Sequence, residues 1–160
     1  MLTRPCAVPL GNRTEPGMPG TVLVGVDNGD ASKRAVEFAR DRAKALGVTL
    51  VLVHVIPWSP YSFSTPEENE MRSARRKSEL AAAEEQVLEP ARTIVGDEVE
   101  CVAIARHGDR AELLNALARE HDSFHILVGR TGESRMKTKL FGSVPGQLIQ
   151  IADVPVTVVP

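Results

Sequence analysis

Cysteine is nearly missing from this chain: Cys6 and Cys101 are the only two in 160 residues. They form no disulfide framework and no repeated metal-ligand spacing, and two free thiols suit a reducing cytosol. No apolar run approaches the roughly 18 residues that a membrane helix requires. Charge of one sign is also lacking. Nineteen Lys and Arg face 21 Asp and Glu, a formal net charge of -2, which argues against a general nucleic-acid binder. Several loop motifs are absent. The first strand is not followed by G-x-G-x-x-G, which disfavours a dinucleotide fold, and no G-x-x-x-x-G-K-[ST] marks a P-loop. No G-x-S-x-G elbow offers a nucleophile. The four histidines, His54, His107, His121 and His125, have no close metal-ligand spacing. His54 falls in an apolar run and reads as a satisfied core histidine. The opening segment has no long apolar stretch, so it is not read as a secretory signal. Its proline and glycine content predicts a disordered extension over residues 1–19.

What remains is the composition of one soluble domain over residues 20–160, with 42% hydrophobic and 25% charged residues in the whole chain. The run 21–27, TVLVGVD, is apolar, rich in valine and ended by Asn28-Gly29, which predicts a buried strand and a turn. Asp30 and Ser32 are candidate N-caps for a helix with Ala35, Ala39, Ala43 and Leu46 at helical spacing and Gly47 as its C-cap. The run 48–56 is apolar on both faces, as in a parallel sheet covered on both sides. Residues 57–64 form a loop with Trp58, Tyr61 and Phe63, read as packing on the sheet edge rather than as a lid. Thr65 and Glu68 suggest a capping box with Pro66 at the first helical position, opening a helix to about Arg92 that Pro90 bends or ends. Further strands are expected at 99–105, 123–129 and 154–159, with helices at 109–121 (capped by Asp109) and 143–152. Strand and helix alternate throughout. The fold expected is α/β: a single doubly wound, five-stranded parallel sheet with helices on both faces.

In such a sheet, ligands bind beyond the carboxyl ends of the strands, where the strand order reverses. Asp27 ends the first strand. Gly129 ends the fourth and opens a loop with Gly132 and Gly142, whose missing Cβ atoms let backbone approach a ligand. Gly142 and Ser143 then open a helix whose free N–H groups and dipole suit a phosphate. Arg130, Arg135, Lys137 and Lys139 supply positive charge, and Glu133 is the loop's only acid.

The segment Gly129-x-x-Gly132, nine residues, then Gly142-Ser143 resembles the nucleotide signature of the universal stress proteins. The opening VLVGVDNGDAS resembles that family's first strand, Leu52-Val53-His54-Val55 its second, and ADVPVTVV its last. The resemblance spans roughly residues 20 to 160. It implies a Rossmann-like fold, akin to the adenine nucleotide alpha hydrolases, that binds ATP with Mg2+. Asp27 and Val55 would contact adenine, with Gly25 and Val26 as the floor. Val128, Gly129 and Gly132 would line the ribose and phosphate path. Gly142, Ser143 and Val144 would hold the phosphates, and magnesium would be bound mainly through phosphates and water. The sequence departs from the family in Pro145, where many relatives have a small hydroxyl residue, and in Arg130-Thr131. These departures put the tightness of phosphate binding in question. The function implied is a non-catalytic, cytoplasmic ATP-binding module of the stress response that acts through nucleotide-dependent conformation or a protein partner. Alternatives are a slow ATP hydrolase or phosphotransferase using Glu133, and a nucleotide-free dimeric scaffold. The terminal strand, apolar on both faces, suggests a sheet edge paired across a two-fold axis in a homodimer.

Overall fold

The structure, a computed structural model, describes residues 20–58, 66–131 and 143–160, with backbone alone for 66–70. The segment 1–19, the aromatic residues Tyr61 and Phe63, and the Thr65–Glu68 capping box lie outside what it describes. β1 (Thr21–Gly25), β2 (Thr49–Pro57), β3 (Cys101–Gly108), β4 (Ser123–Gly129) and β5 (Val156–Val159) form one sheet in the order β3-β2-β1-β4-β5. Every pairing is parallel. The central position of β1 follows from its composition, since Val22, Leu23 and Val24 have no exposed surface. In register, Val24 lies between Leu52 of β2 and Leu127 of β4.

Alternation along the strands divides the core in two. Val22, Val24, Leu50, Leu52 and Leu127 meet α1 (Asp30–Leu46) and α3 (Glu89–Val95) on one face. Leu23, Val51, Val53 and Ile126 meet α4 (Arg110–Glu120) and α5 (Val144–Ile151) on the other. The sheet is therefore doubly wound, as the alternation of elements predicts. In α1, Ala31, Ala35, Ala39 and Ala43 are all buried. This row of small side chains at i, i+4 lets the helix axis lie close to the sheet. Gly47 closes α1 at φ 64°, its N–H directed at the carbonyls of Ala43 and Lys44, the left-handed ending for which glycine is favoured.

Four local expectations need correction. The N-cap of α1 is Gly29, with no side-chain bond. Asp30 is inside the helix, and Ser32 is turned inward, 3% exposed. The second helix does not end at Pro90. α2 (Pro66–Ala83) passes through a π turn at Glu84–Leu88 and continues as α3 to Val95. Pro90 has no N–H for the carbonyl of Gln86 and its ring crowds that turn, so the chain widens just before it instead of breaking. β3 starts at Cys101 and runs to Gly108, later and longer than expected, because its length is set by register with Leu50–Pro57 of β2. β5 begins at Val156, not 154. Asp153 is drawn aside to ion-pair with Arg119, and its N–H reaches Asn115 Oδ1 at 3.2 Å. The expected Asp109 cap is present: its Oδ1 accepts the Glu112 N–H at 3.0 Å.

Among the described residues no helix is long and apolar enough to cross a membrane. The edge strand β5 is tied to β4 by a side-chain bond as well, His125 Nε2 to Thr157 Oγ1 at 2.7 Å. Burial, with a smaller contribution from the Arg42 charge, pushes the His125 imidazole below its ordinary value of 6.5. A depressed histidine favours the neutral native state, so its contribution is complete above about pH 6.5 and is lost as pH falls toward the native value. Urea titrations at pH 7.5 and 5.5 are expected to show lower stability at the acid pH, with the gap narrowed in His125→Asn.

Candidate functional site

The strand order reverses between β1 and β4: the chain moves outward from β1 through β2 to β3, then crosses back to β4. The two carboxyl ends there form a crevice because the connections following them leave to opposite faces of the sheet. β1 runs on past Gly25 as Val26, whose N–H donates to the Val53 carbonyl at 2.8 Å. The Val26 carbonyl is bonded to His54 Nδ1 at 2.8 Å. His54 is thus satisfied, as expected of a core histidine, but it is half-buried and lines the crevice.

At Asp27 the chain turns. Its Oδ1 accepts the Gly29 N–H at 2.7 Å, and its own N–H donates to Ser32 Oγ at 2.8 Å. The first bond is an Asx turn. The second explains why Ser32 is buried inside α1 instead of capping it: it accepts a backbone donor that would otherwise be orphaned at the strand end. Both bonds hold the half-buried Asp27 carboxylate at the rim of the crevice.

Opposite, Gly129 ends β4 against the first turn of α1. A Cβ on Gly129 would stand 2.8 Å from the Ala31 carbonyl carbon and 2.9 Å from the Ser32 nitrogen. The glycine is therefore required by helix–strand packing, a role additional to the close approach to a ligand that its sequence context suggests. Gly25 is similarly hemmed in, its absent Cβ 3.1 Å from Leu114 Cδ1 and 3.2 Å from Val128 Cγ1. Ser143 is the N-cap of α5, its Oγ accepting the Gly146 N–H at 3.2 Å. Pro145 falls in the first turn of that helix, where a missing N–H removes no intrahelical bond. The departure at Pro145 is thus compatible with the helix end.

These elements line a half-open cleft at the carboxyl ends of β1 and β4, the place where an open α/β sheet binds its ligands. Gly25, Val26, Asp27, Val55, Val128, Gly129 and Val144, all singled out from sequence, line it. Ser143 stands beside Val144 at the helix cap but is not part of the lining. Gly132 and Gly142 lie outside the described residues, as do Glu133, Arg135, Lys137 and Lys139. The lining also includes Ser32, Val53, Arg110, Leu114, Thr131 and Pro145, which sequence reasoning did not assign to the site. Arg110 and Leu114 were legible in principle. They are i and i+4 on α4, which must pass over the crevice because its crossover carries the chain from the edge strand β3 back to β4. The walls are largely apolar, with Asp27 at one side and Ser32, His54, Thr131 and Arg110 as the other polar members. Arg110 is exposed, and its guanidinium has no hydrogen-bond or ion-pair partner among the described residues. This arrangement suits a flat, mostly apolar ring carrying an anionic tail.

Comparison with known proteins places the chain in a family. The model of the universal stress protein family matches residues 18–160. A universal stress protein of Mycobacterium tuberculosis (strain CDC 1551 / Oshkosh) is 28% identical over 153 residues, covering 87% of this chain and 47% of that relative. The chain therefore spans about half the length of that protein. Universal stress protein UspA from Lactobacillus plantarum superposes with a TM-score of 0.74 at 21% identity, covering 89% of this chain and 98% of its own. A universal stress protein solved in complex with cAMP superposes at 0.56 with 26% identity, covering 88% and 96%.

The contact of Gly129 with α1 yields a direct test. Gly129→Ala forces a methyl group against backbone, and overpacking of this kind is expected to destabilise the protein by about 1–3 kcal/mol. A lowered midpoint in urea without ligand would show it.

Proposed function

The chain belongs to the universal stress protein family, and from that membership we propose that it is a regulatory module that binds ATP in the cleft between β1 and β4. The observation that carries this reading is the convergence of an apolar slot, an acidic rim residue and a helix N-terminus at the one point where the strand order reverses. Adenine lies against Val55 and over Gly25 and Val26. The Asp27 carboxylate, held at the rim by its own turn, faces the exocyclic amino group as the acceptor that adenine recognition requires. Ribose and phosphates follow Val128 and Gly129 through Gly132 toward Gly142, Ser143 and Val144, where the α5 N-terminus offers N–H groups and a positive dipole end. The relative bound to cAMP supports an adenine nucleotide as the class of ligand. Among the described residues no group of three His, Cys, Asp or Glu side chains forms a metal site. In this reading Mg2+ is held by the phosphates and water.

The role is binding rather than turnover, and the nucleotide state is read by a protein partner or by the cytoplasmic protein's own conformation. Glu133, the residue a slow hydrolase would need, lies outside the described residues. A homodimer forms through β5, an edge strand in the sheet order. On it, Val158 is 38% exposed, and in the preceding helix Ile149 is 67% and Ile151 42% exposed. An apolar edge with such neighbours favours a second copy paired across a two-fold axis.

Two experiments test the reading. Calorimetric titration of the protein with ATP and magnesium is expected to show binding that Gly132→Val abolishes and that Asp27→Ala weakens about tenfold or more, the effect of removing a hydrogen bond to a charged group. No binding at millimolar ATP by the folded protein would overturn it and leave the dimeric scaffold. For assembly, light scattering is expected to give a dimer that Ile149→Glu combined with Val158→Lys converts to a monomer.

A further inference from the structure

A second cavity adjoins the first. It is an open cavity of about 290 Å3 beyond the carboxyl ends of β2 and β3, and Trp58, Gly108, Asp109 and Gln147 are among its walls. Arg110 and Val144 line both cavities, so the two are neighbours across one arginine and one valine. Its most unusual feature is Trp58, expected from sequence to pack on the sheet edge and instead 56% exposed. The indole is nevertheless held. The Arg76 guanidinium lies 5.1 Å from the ring centroid, a cation–π distance. The ring of His107 stands 6.1 Å away at 44°, and His107 is itself anchored by Glu79 at 2.8 Å. Gly108 lies beside the indole, its Cβ position 3.7 Å from Trp58 Nε1.

A large aromatic surface that is both exposed and positioned is a stacking platform for a planar ring. Arg110, an exposed cation without an ion-pair partner among the described residues, stands between that platform and the nucleotide cleft. The acid of the second cavity, Asp109, directs one carboxylate oxygen to the α4 cap. The order of chemistry is therefore apolar slot, cation, aromatic face. A mononucleotide uses the first two of these. A ligand that uses all three has a ring at each end and phosphates between.

We propose that the Trp58 cavity receives the distal ring of a dinucleoside polyphosphate whose first adenosine occupies the cleft between β1 and β4 and whose phosphate chain passes Arg110. The proposal rests on the ATP-binding reading above and extends it by naming a ligand class for the same crevice. Stacking of one base on an aromatic side chain is expected to tighten binding about tenfold.

The test uses the full chain with two probes, ATP and diadenosine tetraphosphate, each with magnesium. Affinity is read by calorimetry and ring contact by the emission of Trp58, the sole tryptophan. Diadenosine tetraphosphate is expected to bind about tenfold tighter than ATP and to quench Trp58. Trp58→Ala should abolish that advantage while leaving ATP affinity unchanged, and Trp58→Phe should retain much of it. Equal affinity for the two probes without a change in Trp58 emission overturns the proposal and leaves ATP binding standing. So does an advantage that survives in Trp58→Ala. If neither probe binds the folded protein, the ATP reading fails and this proposal fails with it.

Discussion

The arrangement at the crevice depends on how closely the first turn of α1 approaches the carboxyl end of β4. Backbone meets backbone there: with a methyl group on Gly129, the Ala31 carbonyl carbon would be only 2.8 Å away. The approach brings the α1 N-terminus, the Asp27 turn and β4 into one crevice. It is made possible by the alanines along the buried side of α1, which keep the helix near the sheet for its whole length. A larger residue at either place would lift the helix and open the cleft from below, since close-packed interiors do not absorb extra volume.

Around this contact the polar groups are arranged so that the strand end is satisfied without filling the cleft. Ser32 accepts the Asp27 N–H, Asp27 accepts the Gly29 N–H and His54 meets the Val26 carbonyl. Each bond serves a backbone group at the point where β1 leaves the sheet, where ladder partners are no longer available. The lining that remains is largely aliphatic. The charges lie instead on the surface, some in pairs such as Arg106 with Glu120 and Arg75 with Glu79. Ion pairs as exposed as these contribute little to stability, and the fold rests on the two apolar layers.

Half of the cleft lining was legible in residue type and spacing. Short valine-rich runs ended by Asp27-Asn28-Gly29 and by Gly129 locate the strand ends. The Gly142-Ser143 pair, followed by an apolar stretch, locates a helix start. These signals are local: each depends on residues a few positions apart, and backbone propensity and capping act at that range. His54 shows the limit. Sequence identifies a histidine in a buried strand but not that its ring reaches across to the Val26 carbonyl and faces the crevice. Ser32 shows it again, since a helix-start serine has the same local signature whether it caps its own helix or serves the preceding strand.

The sequence by itself determined the fold class, the doubly wound order of elements and the two strand ends that form the crevice, because hydrophobic period, turn residues and crossover handedness are carried by short stretches of chain. Only the tertiary structure decided the extent of β3 and β5, the widening of the helix before Pro90, the packing role of Gly129, and the meeting of Trp58, Arg110 and Val144 beside the cleft. Those features arise from register, crowding and contacts between segments far apart in the chain, and no local pattern encodes which distant atoms will compete for the same space.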